Sequence, residues 1–202
     1  MRLFAALDLP AEARHALGEL LRPLRGEGWP ISWIPPENLH ITLSFLGEVP
    51  RAELPRVEAS LREGCVALSP FTLVLRGGGA FPTPRSPRVL WVGLGDALES
   101  AGRLHQNVSA ALSRNGFPGD GKPFHPHVTV GRVRAPLPPG AGERLVGALS
   151  AFRPASVPVT AVVLYESRLS PSGARYTPLS AVPLSGGGED RSHEEGKGEP
   201  TE

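Results

Sequence analysis

Cysteine is nearly missing from this chain: Cys65 is the only one among 202 residues. A lone cysteine excludes an intramolecular disulfide and a multi-cysteine zinc site. Lysine is almost as scarce. Lys122 and Lys197 are the only two, so nearly all the positive charge rests on arginine, whose planar fork suits bidentate phosphate recognition. No apolar run approaches the roughly 20 residues of a membrane span. The opening run 3–9 carries Asp8 and stops at Pro10. It is too short for a secretory leader, so a cytoplasmic protein without a membrane partner is expected.

What is present reads as globular. Hydrophobic residues make up 40% of the chain, enough for one compact domain or two small fused lobes. The net charge of +1 hides an asymmetry. Six of the 20 acids and two of the 21 bases fall in 185–202, which leaves the body at +5. Residues 185–202 contain no large apolar side chain and are expected to form a disordered acidic tail. His193 lies there and is discounted.

Along the body, strand and helix signals alternate. Residues 3–9 read as a buried strand. The segment 11–24 has apolar residues at helical spacing after Pro10. Strand signals follow at 39–46, 71–75, 89–94, 127–133, 157–165 and 176–183, and helix signals at 52–68, 97–112 and 141–149. A loop is expected over 77–87, where Gly77, Gly78 and Gly79 open a Gly/Pro-rich stretch. Another is expected over 116–126, and a turn at Pro171-Ser172-Gly173. This mixed order favours an α+β fold over a doubly wound parallel sheet.

One tetrapeptide appears in each half: His40-Ile41-Thr42-Leu43 and His127-Val128-Thr129-Val130. On a strand, residues i and i+2 face the same way. Each copy therefore sets an imidazole and a hydroxyl on one surface and two apolar side chains on the other. With the two strands side by side, two imidazoles and two hydroxyls line one cleft. Opening a cyclic phosphodiester needs a base for the attacking water and an acid for the leaving alkoxide. Two histidines can hold opposite protonation states near neutral pH, and threonine hydroxyls can donate to phosphoryl oxygens.

In its paired HxTx motifs the sequence resembles the two-histidine (2H) phosphoesterase superfamily, and more closely the RNA 2′,3′-cyclic phosphodiesterases known also as 2′-5′ RNA ligases. The matching stretches are MRLFAALDLP, ENLHITLSFLGEV, RVLWVGL, KPFHPHVTVGRVR and LYESRLSPSGARYTPL, in order over 1–184. The resemblance implies a bilobal α+β fold with two antiparallel sheets flanking a central cleft and helices outside. It implies one domain of two pseudo-symmetric lobes over 1–184, with 185–202 as the tail. It implies metal-independent hydrolysis of terminal 2′,3′-cyclic phosphates to 2′-phosphates without a cofactor, with His40 as proton donor and His127 as proton acceptor. Thr42, Thr129 and Arg132 are implied as phosphate contacts. The implied partner of the monomer is an RNA end, tRNA fragments among such ends, with 2′-5′ ligation as a possible reverse reaction.

Arg132 stands in the wrong phase for strict alternation, which would turn it away from His127 and Thr129. Gly131 predicts a bulge or strand end that restores it to the cleft. Two other readings stay open: a non-catalytic RNA-end binding module, and a hydrolase with a metal on His40, His125 and His127. Pro126 weakens the latter by disfavouring a regular strand at His125; a cleft-rim position suits that residue better. His15 and His105 read as structural. Arg85, Arg88, Arg132, Arg134, Arg168 and Arg175 are candidates to line a groove for RNA phosphates, and Trp33, Phe45, Phe81 and Phe124 are candidates to stack a base.

Overall fold

The computed structural model describes residues 1–119, 121–170 and 173–186. Its elements run β1 (Arg2–Asp8), α1 (Ala11–Gly26), β2 (Ile31–Trp33), β3 (His40–Glu48), α2 (Leu54–Cys65), β4 (Phe71–Thr83), β5 (Ser86–Gly95), α3 (Leu98–Arg114), β6 (His127–Val133), α4 (Ala141–Ser150), β7 (Ala155–Val159), β8 (Ala161–Ser170) and β9 (Gly173–Pro183). All described pairings are antiparallel. The strand order is β7-β4-β5-β6-β3-β1-β8-β9, with β2 added to β6. The α+β architecture expected from the sequence is present. Its two antiparallel sheets meet where Ile41 pairs with Val128 and so run together as one curled sheet.

From that seam the sheet reads outward in matching steps: β6 to β5, β4 and β7 on one side, β3 to β1, β8 and β9 on the other. The connections match too. A helix lies between β1 and β3 and between β5 and β6, and another follows each of β3 and β6.

Alternation in the two motifs sorts the faces. Ile41, Leu43, Val128 and Val130 are buried, while His40, Thr42, His127 and Thr129 are half-buried. The apolar set joins Leu17 and Leu21 of α1, Leu61 of α2, Leu104 and Val108 of α3, and Leu145 of α4 in one core cluster. The helices thus cover one face of the sheet and leave the histidine face open. Truncating Ile41 or Val128 to alanine removes side chains with no exposed surface, a change that typically costs about 1–5 kcal/mol.

Three expectations need correction. The stretch 77–87 is mostly strand: β4 runs on to Thr83 and turns at once into β5. Gly79 sits directly across from Trp91, whose indole lies where a Cβ would be, 2.2 Å away. The glycine admits a neighbour's ring rather than marking a loop. The segment 157–165 is split at Thr160, where the chain leaves β4 as its partner and joins β1. The sequence reading also missed β2, three residues long and flanked by Pro30 and Pro35. Of the expected tail, Ser185 and Gly186 bond back to Val66 and Leu68; residues 187–202, Pro171 and Ser172 lie outside the described residues.

Candidate active site

The bridge between Ile41 and Val128 sets the geometry. Because β3 and β6 run antiparallel, the next positions interleave: Thr42 comes beside His127, and His40 beside Thr129. The four polar side chains expected to share a cleft are thereby gathered on one face.

Each imidazole is held the same way. His40 Nδ1 lies 2.7 Å from the Asn38 carbonyl oxygen, and His127 Nδ1 lies 2.6 Å from that of His125. A carbonyl only accepts, so Nδ1 carries the proton in both rings and Nε2 is left for chemistry. His40 Nε2 is 3.1 Å from Thr42 Oγ1. Burial lowers both histidines below their ordinary pKa of 6.5, and the two carbonyl bonds oppose it. Further charges act unequally. Arg14 and His127 lower His40 while Asp8 raises it; His125 and Arg132 both lower His127.

The bulge anticipated at Gly131 is present. Trp91 pairs with Thr129 but Leu90 pairs with Gly131, so Val130 is an extra residue on β6. Alternation resets, and Arg132 pairs with Val89 on the face that Trp91 and Thr129 share. The same bulge occurs in the first motif. Ala6 pairs with Thr42 and Ala5 with Ser44, leaving Leu43 as the extra residue. Phe45 therefore takes the place in β3 that Arg132 takes in β6.

The sequence reading passed over the groups behind His40. Asp8 is its cross-strand partner. The Asp8 carboxylate is ion-paired with Arg14 and accepts from Tyr165 Oη at 2.9 Å. Burial and then that bond push the Tyr165 hydroxyl up to about 12. Arg14 also donates to the carbonyls of Pro36 and Glu37, both at 2.9 Å. It thereby fixes the turn that presents the Asn38 carbonyl to His40. Asp8 and Tyr165 sit in stretches that carry the family resemblance, ALDLP and LYES, and that was the one signal available for them.

The remaining candidates disperse. His105 stacks on Phe124 with ring centres 4.2 Å apart and bonds the Leu43 carbonyl, so both serve the scaffold. Trp33 packs over Gly131. Phe81 stands edge-on to the His127 ring at 5.2 Å. Arg85, Arg88 and Arg134 line a separate cavity of about 640 Å³ beyond the end of β6. Arg168 pairs with Glu166. Among the described residues, no group of three or more histidine, cysteine or acidic side chains is arranged to hold a metal ion.

Comparison with known proteins gives the family. The sequence model of the 2′-5′ RNA ligase superfamily matches residues 11–170. A protein of Archaeoglobus fulgidus named RNA 2′,3′-cyclic phosphodiesterase is 40% identical over 179 residues, covering 89% of this chain and 98% of its own. One of the same name from Methanothermobacter thermautotrophicus is 33% identical, covering 91% and 99%. Among solved structures, TT0787 of Thermus thermophilus superposes with a TM-score of 0.74 at 35% identity, covering 92% of this chain and 99% of that one. Escherichia coli LigT complexed with NADP+ gives 0.70 at 31%, covering 91% and 97%. The chain is therefore an enzyme of the 2′-5′ RNA ligase superfamily.

Proposed function

We propose that the chain hydrolyses the 2′,3′-cyclic phosphate ends of RNA to 2′-phosphomonoesters by two-histidine acid–base catalysis, without a metal ion. The observation that carries this reading is the duplicated presentation of the imidazoles: two Nε2 atoms on one face, each ring held through Nδ1 by the carbonyl two residues earlier. The names of the relatives support the substrate.

The chemistry follows from one phosphorus between two rings. His127 Nε2 takes a proton from water as the water oxygen bonds to phosphorus. The bond from phosphorus to O3′ breaks, and His40 Nε2 delivers its proton to that oxygen. The product is a 2′-phosphate with a free 3′-hydroxyl, and solvent exchange restores both rings. Thr42 and Thr129 donate to the non-bridging oxygens, and Arg132 offers two N–H groups to the phosphate. The cations near His127 suit the neutral base; at His40 the lowering by Arg14 outweighs the raising by Asp8, and it is the bond from Nδ1 to the Asn38 carbonyl that most favours the protonated ring.

In this reading residues 1–184 are one domain of two related lobes, acting as a cytoplasmic monomer on RNA ends such as those of tRNA fragments. The test is incubation of an RNA ending in 2′,3′-cyclic phosphate with the protein in EDTA. Conversion to a 2′-phosphate is expected. A 3′-phosphate product, or loss of turnover in the chelator, overturns the reading.

A further inference from the structure

The positive charge of the body is not balanced evenly. Arg22, Arg56 and Arg114 on the helices are each paired with an acid. Arg85, Arg88 and Arg134 are not: among the described residues none of the three forms an ion pair. All three line the cavity of about 640 Å³ beyond the end of β6. Arg85 stands in the turn between β4 and β5, Arg88 stands on β5, and both are exposed. Among the described residues of the lining, Glu143 of α4 is the one acid. The opposite wall is the stretch 135–139, where Pro136, Pro138 and Pro139 fix the backbone. A preformed space of this size, within the roughly 300–1,000 Å³ of ligand pockets, with three guanidiniums against one carboxylate, suits an anion.

Ser32 joins this cavity to the two-histidine face. It pairs with Arg132 across the strands, and its hydroxyl accepts from Arg134 Nε at 2.8 Å. β6 thus runs from Thr129, beside His40, past Arg132 to the cavity. In-line displacement puts the leaving O3′ on the side of the acid, His40. The ribose and the RNA strand 5′ of it are attached through that oxygen, so they leave the phosphorus on the side from which β6 runs on. From Thr129 to Arg134 the chain advances about four strand steps, the bulge at Val130 taking up one residue, or roughly 13 Å. A stacked strand rises about 3.4 Å per phosphate. The cavity therefore meets the backbone about four phosphates upstream of the reacting one.

We propose that this cavity is a second phosphate subsite, which holds the RNA backbone about four nucleotides 5′ of the cyclic end. The proposal rests on the acid role given to His40 above. A mononucleotide does not reach the cavity. A longer strand does, and gains binding with no change in the reacting groups. Arginine forks bond phosphate oxygens without reading the base, so the preference set here is for length rather than sequence.

The test uses the full chain with cytidine 2′,3′-cyclic phosphate and with an octanucleotide carrying the same end. In the wild type the octamer should have the lower KM, and its KM should rise with salt. Arg85→Ala combined with Arg88→Ala should raise the octamer's KM about tenfold and lower the slope of log KM against log salt by about one. Both constants for the mononucleotide should stay at wild-type values, which also shows that the double variant is folded. Glu143→Gln removes the acid and should lower the octamer's KM alone. A wild type that does not distinguish the two lengths overturns this proposal alone. So does an unchanged octamer KM in either variant, or an equal loss on both substrates in the double variant. Absence of product from both substrates in the wild type overturns the two-histidine reading and this one with it.

Discussion

His40 and His127 occupy the same station in the two halves of the sheet, and their backbones are set alike down to the bulge that follows each threonine. Their surroundings are not alike. Across from His40 stands Asp8, tied to Arg14 and Tyr165; across from His127 stands Gly93. Beyond the bulge, the first half places Phe45 and the second Arg132. A duplicated scaffold supplies two equivalent imidazoles in unlike surroundings, and the proposed reading gives His40 the acid's part and His127 the base's.

Removing either ring should have the largest effect. His40→Ala and His127→Ala should each lower turnover by about 10²–10⁴-fold, the range for one general acid or base. Both variants should stay folded, because the paired strands are anchored by Ile41 and Val128 instead. Near-wild-type turnover in a folded variant would break the comparison at its root.

The Arg132 side should come next. Arg132→Lys loses the bidentate fork and should lower kcat/KM by about tenfold or more. Arg134→Lys should cost less, since Arg134 bonds Ser32 rather than standing on the motif face next to the bulge. Steady-state kinetics of the two variants side by side decide this, and a larger defect at Arg134 would contradict the reset register.

Asp8→Asn should have a smaller effect, confined to the first half. It removes the one anion that raises His40 and leaves Arg14 uncompensated. The alkaline limb of the kcat/KM profile should move to lower pH, with a rate loss at pH 7 under about tenfold. The acid limb, which the proposed reading gives to His127, should stay in place.

The smallest expected effect is on stability. Both histidines titrate below 6.5 when folded. As pH falls through 6.5 the unfolded chain binds protons first, so their contribution favours the folded state above that pH and is lost below it. The thermal midpoint should decline on acidification below pH 6.5. Each alanine variant should show a shallower decline there, measured by calorimetry from pH 7.5 to 5.

Much of this site was legible in the chain itself. Period-two alternation in two short motifs is local, and it sorted His40, Thr42, His127 and Thr129 from the core residues beside them. Gly131 pointed to its bulge because a glycine inside a strand often marks one. The twin bulge at Leu43 left no such sign, since Ser44 looks like any strand residue, and so the correspondence of Phe45 with Arg132 was hidden. Asp8 was hidden too. Inside an apolar run it reads as a strand end, and only the register between β1 and β3 sets it across from His40. The Gly77–Gly79 stretch misled because local composition cannot show that Trp91 from the next strand fills the space above Gly79.

Recording the pH dependence of kcat/KM for the wild type, His40→Ala and His127→Ala tests the division of labour most directly. The free enzyme should give a bell whose limbs lie below the ordinary histidine pKa, because burial lowers both rings. A base must be neutral to act and an acid protonated. His127→Ala should therefore lose the rise of rate with pH and keep only a fall, while His40→Ala should keep only a rise. Loss of the same limb in both variants, or the reverse pattern, would contradict the assignment of His40 as acid and His127 as base.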